Sequence, residues 1–143
     1  MTTLPPPLDL AFLDSNIWLY ALIAGQDLHK AQIATTYIQH TMRIVISVQV
    51  INEVSANILK NRLMDESALR ALIDTFYARY TIVAYDRALF HEASLLREEI
   101  HVSYWDSLII AAALFSGSSI LYSEDMQHGQ RIRDQLTILN PFQ

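Results

Sequence analysis

The sequence has no cysteine, which excludes disulfides and thiolate metal sites, zinc ribbons among them. Charge is scarce: Asp, Glu, Lys and Arg make up 17 % of the chain, against about a quarter in an ordinary soluble protein. Lysine occurs only at Lys30 and Lys60. Met1 to Pro7 holds neither Lys nor Arg and so lacks the positive start of a secretory signal. The longest apolar run, Leu108 to Phe115, is far short of the roughly 20 residues that cross a bilayer. No repeat or low-complexity stretch occurs, and the five histidines show no HExxH or comparable ligand spacing. A cytoplasmic protein without a membrane segment is the expectation.

What is present is apolar. The 143 residues are 52 % hydrophobic, enough for one domain spanning 1–143, with 1–8 as a flexible N-terminal segment. Few charges and many apolar residues suggest surface covered by a partner or a second copy. The formal net charge of −5 counts against a nucleic-acid partner at first sight. Carboxylates gathered to hold divalent cations would, however, make a chain acidic until the metal binds.

Short β-rich runs alternate with longer helical ones. Strands are expected at Leu10–Leu13, Arg43–Ser47, Thr81–Ala84, Ser119–Tyr122 and Leu136–Leu139. Helices are expected over Asn16–Ile23, His29–His40, Val48–Asn61, Asp65–Arg79, Asp86–Glu99 and Tyr104–Phe115, with a short one over Met126–Asp134. The helix from Tyr104 is apolar nearly all round and is expected to be buried, and Gly117 stops it. The alternation predicts an α/β fold of three α/β/α layers around a mainly parallel sheet of about five strands. In such sheets, sites form outside the carboxyl ends of the strands.

Asp14 directly follows the first strand and Asp125 the fourth, so both project from one sheet edge. Glu53 and Asp106 lie in the first turns of apolar helices. Each aspartate alone fits a structural role: Asp14, Asp86 and Asp125 as helix caps, Asp106 as the acid of a capping box begun by Ser103. Glu53 has no capping role, because it lies inside a helix on the flank of the core stripe. A carboxylate there is costly unless paired or bound to a cation. Mg²⁺ and Mn²⁺ take hard oxygen ligands, usually one or two carboxylates plus waters and substrate phosphate. Such ions activate water and stabilise a departing 3′ oxygen, with no Ser or Cys nucleophile.

Four segments carry a family resemblance. Phe12-Leu13-Asp14-Ser15-Asn16 resembles the N-terminal motif of the PIN-domain family, and Val50-Ile51-Asn52-Glu53 the second. The run Tyr104 to Ala113 is similar to the third, an Asp opening an alanine-rich apolar helix, and Leu121 to Met126 to the fourth. Order and spacing agree from about residue 10 to 139. The resemblance, to PIN-domain proteins of the kind of VapC-like toxin ribonucleases of type II toxin–antitoxin systems, implies a catalytic cluster of Asp14, Glu53, Asp106 and Asp125 holding Mg²⁺ or Mn²⁺. Asn16 and Ser123 would support it by orienting the carboxylates or bound water. It also implies an RNA substrate, an antitoxin protein that blocks the cleft, and a homodimer.

Lys60, Arg62, Arg131 and Arg133 are candidates for contacts to the RNA backbone, or else ordinary solvated charges. Trp18, Tyr20 and Trp105 could stack on bases, although their apolar surroundings place all three in the core. His128 falls near the expected cleft, on the short helix. A metal-dependent phosphohydrolase also puts Asp after a first strand, but it wants a late lysine and a second Asp where Asn16 stands. A non-catalytic PIN-fold module that binds RNA or protein is the rival of a different class; four mutually repelling acids speak against it.

Overall fold

The computed structural model describes residues 10–23 and 27–143; the segment 1–8 expected to be flexible lies outside the described residues. The elements run β1 (Leu10–Leu13), α1 (Ser15–Leu22), α2 (Leu28–His40), β2 (Arg43–Ser47), α3 (Val48–Lys60) and α4 (Glu66–Arg79). They continue with β3 (Thr81–Val83), α5 (Arg87–Glu99), α6 (Tyr104–Phe115), β4 (Ile120–Tyr122), β5 (Arg131–Ile132) and β6 (Leu136–Leu139). Short polar side chains open the helices as the sequence suggests. Asp65, Asp86 and Ser103 accept main-chain N–H bonds from Ala68, Leu89 and Asp106.

The sheet order is β3-β2-β1-β4-β6-β5, parallel throughout except for the last pair. Strands covered on both faces need unbroken apolar runs. Ala11, Phe12 and Leu13 of β1, Ile44 to Ile46 of β2 and Leu121 and Tyr122 of β4 are all buried. From β1 the chain steps outward to β2 and β3, then returns across the sheet to β4. Right-handed crossovers therefore put α1–α4 on one face and α5–α6 on the other, in keeping with the packing of α1 on α2 and α3 and of α5 on α6. The apolar helix α6 is buried from Ser107 to Leu114, as its composition requires. No helix among the described residues is long and apolar enough to cross a membrane.

Two expectations are corrected. The sheet has six strands rather than about five, and the short helix over Met126–Asp134 does not form. Gly129, Arg133 and Asp134 all have positive φ, which an α-helix cannot accommodate. Arg133 and Asp134 are the central pair of a tight turn closed by the Gln135 N–H on the Ile132 carbonyl at 3.0 Å, and this turn makes β5 and β6 an antiparallel hairpin. His128 consequently stands in a loop, where its Nδ1 accepts from the Asn140 N–H at 2.9 Å.

Candidate active site

The strand order reverses between β1 and β4, and the crevice beyond their carboxyl ends is where an open α/β sheet places its site. Asp14 closes β1 there. Its main-chain N–H donates to the Tyr122 carbonyl at 3.0 Å, which extends the β1–β4 ladder by one residue and fixes the side chain in the crevice. Oδ1 accepts from the Ser15 N–H and Oδ2 from the Ser123 hydroxyl, both at 2.8 Å. The residue is only 6 % exposed. Burial raises its carboxyl to about 7 despite those two hydrogen bonds, and the charges of Glu53 and Asp125 push the same way.

Glu53, half-buried in the second turn of α3, is gripped from both sides. Oε2 accepts from the Ser15 hydroxyl at 2.6 Å and Oε1 from the Gln49 amide at 2.9 Å. Gln49 also takes a hydrogen bond from the Tyr85 hydroxyl. Burial and the Glu53 charge hold that phenol above its usual pKa, so it stays a donor. Asp106, half-buried in the first turn of α6, is likewise raised by burial, with the charges of Asp125 and Glu53 adding to it.

Asp125 is exposed and is oriented by Asn16, whose amide donates to it at 3.1 Å while its carbonyl oxygen accepts the Glu124 N–H at 3.2 Å. Glu124 itself turns away to Tyr20 and Lys30, each at 2.7 Å. Asp106 and Asp125 flank one cleft of about 210 Å³, which Ser103, Gln127, Gln130 and Met126 also line.

Thus the structure brings Asp14, Glu53, Asp106, Asp125, Asn16 and Ser123 together. It does not bring the four basic candidates to them. Helix α3 starts at the sheet's carboxyl edge and runs about 18 Å away from it, leaving Lys60 and Arg62 at its far end. Arg131 donates to Thr137 and to the Asp134 carbonyl. Arg133 occupies the turn at the opposite sheet edge, paired with Glu92 and Glu99 of α5.

Trp18 is buried against Phe76 as expected and Tyr20 is half-buried, but Trp105 is 63 % exposed. Sequence reading placed Ser15 in the first motif without giving it a role, and overlooked Gln49 and Tyr85. Gln49 stands one helical turn before Glu53, a spacing that could have flagged it; nothing local marks Tyr85.

The four acids offer hard oxygen donors, the chemistry that suits a hard divalent cation, while His101 and Met126 also line the cleft between Asp106 and Asp125. No group of three or more His, Cys, Asp or Glu among the described residues forms a ready ligand set, but Mg²⁺ keeps most of its waters and asks for one or two carboxylates. The groups acting on Asp14 and Asp106 are hydroxyl and amide donors and other carboxylates, with no Lys or Arg among them. With raised carboxyls and no Lys or Arg acting on them, these acids would be held ionised by a bound divalent cation, and the donor set fits one.

The PIN domain family model matches residues 11–131. Among curated proteins, none matches the sequence. Several solved structures share the fold. One is the Mycobacterium tuberculosis toxin VapC20, described as cleaving the sarcin–ricin loop, at 19 % identity and TM-score 0.62 over 80 % of this chain and 91 % of that one. A toxin–antitoxin complex from Klebsiella pneumoniae aligns at 17 % identity and TM-score 0.68 over 92 % and 97 %. FitAcB from Neisseria gonorrhoeae aligns at 12 % identity and TM-score 0.65 over 93 % and 99 %.

Proposed function

This chain belongs to the PIN-domain family, and on that premise we propose that it is a metal-dependent endoribonuclease acting as a single domain in the cytoplasm, the toxin of a toxin–antitoxin pair. One observation carries the reading. Asp14 is buried beside Glu53 and Asp125 with no cationic side chain acting on it, at the crevice where this sheet topology puts its ligands. A carboxylate kept in that position costs stability, and a bound cation with a phosphate substrate gives it a use.

Asp14, Glu53, Asp106 and Asp125 would hold Mg²⁺ or Mn²⁺, which supplies neutralisation of the phosphate and a more acidic water. The chain's own groups set the geometry. Ser15 and Ser123 fix Glu53 and Asp14, Gln49 braces Glu53 from the other side, and Asn16 turns Asp125 inward. Water attacks phosphorus, the bond to the 3′ oxygen breaks, and the products are a 5′-phosphate and a 3′-hydroxyl. The cleft between Asp106 and Asp125 gives the neighbouring nucleotide a place. An antitoxin would silence the enzyme by covering this edge, and a homodimer would cover part of the apolar surface.

The test is cleavage of RNA by the purified chain with Mg²⁺ or Mn²⁺, with EDTA and Asp106→Asn as controls. Cleavage that needs both the ion and Asp106 supports the proposal. Absence of cleavage across a broad RNA panel, with no heat of metal binding, overturns it in favour of a binding module. Toxicity on expression that Asp106→Asn relieves supports the toxin assignment, and an inert wild-type chain in the same host counts against it.

A further inference from the structure

Trp105 and Tyr104 open α6 immediately before Asp106, and both stay in solvent, 63 % and 47 % exposed. Large aromatic side chains left open beside a polar site call for an occupant. Here the pair is also held in place. The two rings meet edge to face, with centroids 5.2 Å apart and planes at 89°. The Arg97 guanidinium lies 4.9 Å from the centre of the Tyr104 ring while donating to the Ser107 hydroxyl at 2.7 Å. The main-chain carbonyl of Trp105 accepts a 3.5 Å contact from the Gln49 amide, the same group that donates to Glu53. The backbone carrying the indole is thereby tied to the side chain that orients one of the acids.

We infer that Trp105, braced by Tyr104, is the surface on which an unpaired RNA base stacks next to the scissile phosphate. The inference rests on the nuclease reading above and extends it to how single-stranded substrate is held. The surroundings favour a base over an apolar protein partner. Interface cores are depleted of charge, whereas Asp106 directly follows Trp105 in the chain, the Trp105 main-chain carbonyl meets the Gln49 amide that also holds Glu53, and Arg97 lies over the neighbouring Tyr104 ring. A base needs one flat face, leaving its sugar and phosphate free to reach the acids. Such stacking tolerates any base and requires it to be out of a duplex.

The two tryptophans make the test direct, because Trp18 is sealed in the core at 4 % exposure and Trp105 is open. A chain carrying Asp14→Asn, which does not consume the substrate, is titrated in Mg²⁺ with a short unstructured RNA oligonucleotide while tryptophan fluorescence is recorded. Quenching is expected from the single strand, not from the same RNA annealed to its complement, and it should vanish with Trp105→Phe. In the active chain, Trp105→Ala should raise KM for single-stranded RNA about tenfold with kcat within about twofold, and Trp105→Tyr should restore most of the loss. Quenching that survives Trp105→Phe overturns the inference. So does an unchanged KM in Trp105→Ala, including the case in which that variant turns a dimer into a monomer and the surface is a protein interface. A wild-type chain that neither cuts nor binds RNA removes the nuclease reading itself, and this inference with it.

Discussion

The Ser123 hydroxyl donates a 2.8 Å hydrogen bond to Oδ2 of Asp14, 109 residues away, and accepts the Asp125 N–H at 3.2 Å. One serine therefore serves two of the four acids, and it also holds the Asp14 carboxyl lower than burial alone would leave it. Removing it should affect activity differently at different pH.

Ser123→Ala takes away a bond that favours ionised Asp14, so the carboxyl rises further. Cleavage should fall about 10- to 100-fold, the usual cost of losing a group that orients a metal ligand. The loss should be greater at pH 6.5 than at pH 8.5, because the acid limb of the pH profile moves upward. A uniform loss at every pH would show that Ser123 does not act through Asp14.

Without metal, Asp14 should make the fold less stable as pH rises. The folded state keeps this proton up to about 7 whereas the unfolded chain releases it near 3.8, so across that interval the folded state binds more protons and stability drops with rising pH. Thermal melts in EDTA should show the decline between about pH 4 and 7. Asp14→Asn should flatten it and raise the Tm at pH 8 by roughly 5 °C. Mg²⁺ should protect the wild-type chain most at high pH and the variant little. A metal-free melt that is independent of pH in both chains would rule this out.

Asp106→Asn should lower kcat/KM about a thousandfold, several kcal/mol of lost charge stabilisation, with a Tm close to that of the parent. The N-cap contact at this position runs from the Asp106 main-chain N–H to the Ser103 hydroxyl, and the side-chain bond between Asp106 and Ser103 is one that an asparagine oxygen can still accept. A chain that unfolds on this substitution would instead assign Asp106 a structural role.

Arg133→Met should cost about 1 kcal/mol of stability or less, as partly exposed ion pairs do, and leave cleavage unchanged. The side chain joins the β5–β6 turn to Glu92 and Glu99 of α5, at the sheet edge away from the acids. Denaturant melts and RNA-binding curves measured together check this. A weakened RNA affinity at full stability would return Arg133 to the substrate path.

Local signals read well wherever one residue type had one physical use. Asp65, Asp86 and Ser103 announced their helices because a short polar side chain meets free N–H groups only at a helix start. The apolar run of β1 and the β-branched run of β2 announced buried strands. The hairpin was missed because Arg133 and Asp134 carry no glycine to signal their left-handed backbone, and Gly129 alone was not decisive. Trp105 was misplaced because apolar neighbours along the chain say nothing of which way a first-turn side chain faces.

By itself, then, the sequence determined the α/β alternation, the acids that end β1 and β4, and the burial of α6, since each depends on residues within a turn or two. Tertiary structure alone decided that Ser15 reaches Glu53, that Gln49 links Glu53 to Trp105, that Arg131 meets Thr137, and that Arg133 pairs with Glu92 and Glu99. Those relations depend on strand order and on the reversal between β1 and β4. Strand order is set by how six apolar faces share one core, and no short stretch of chain carries that information.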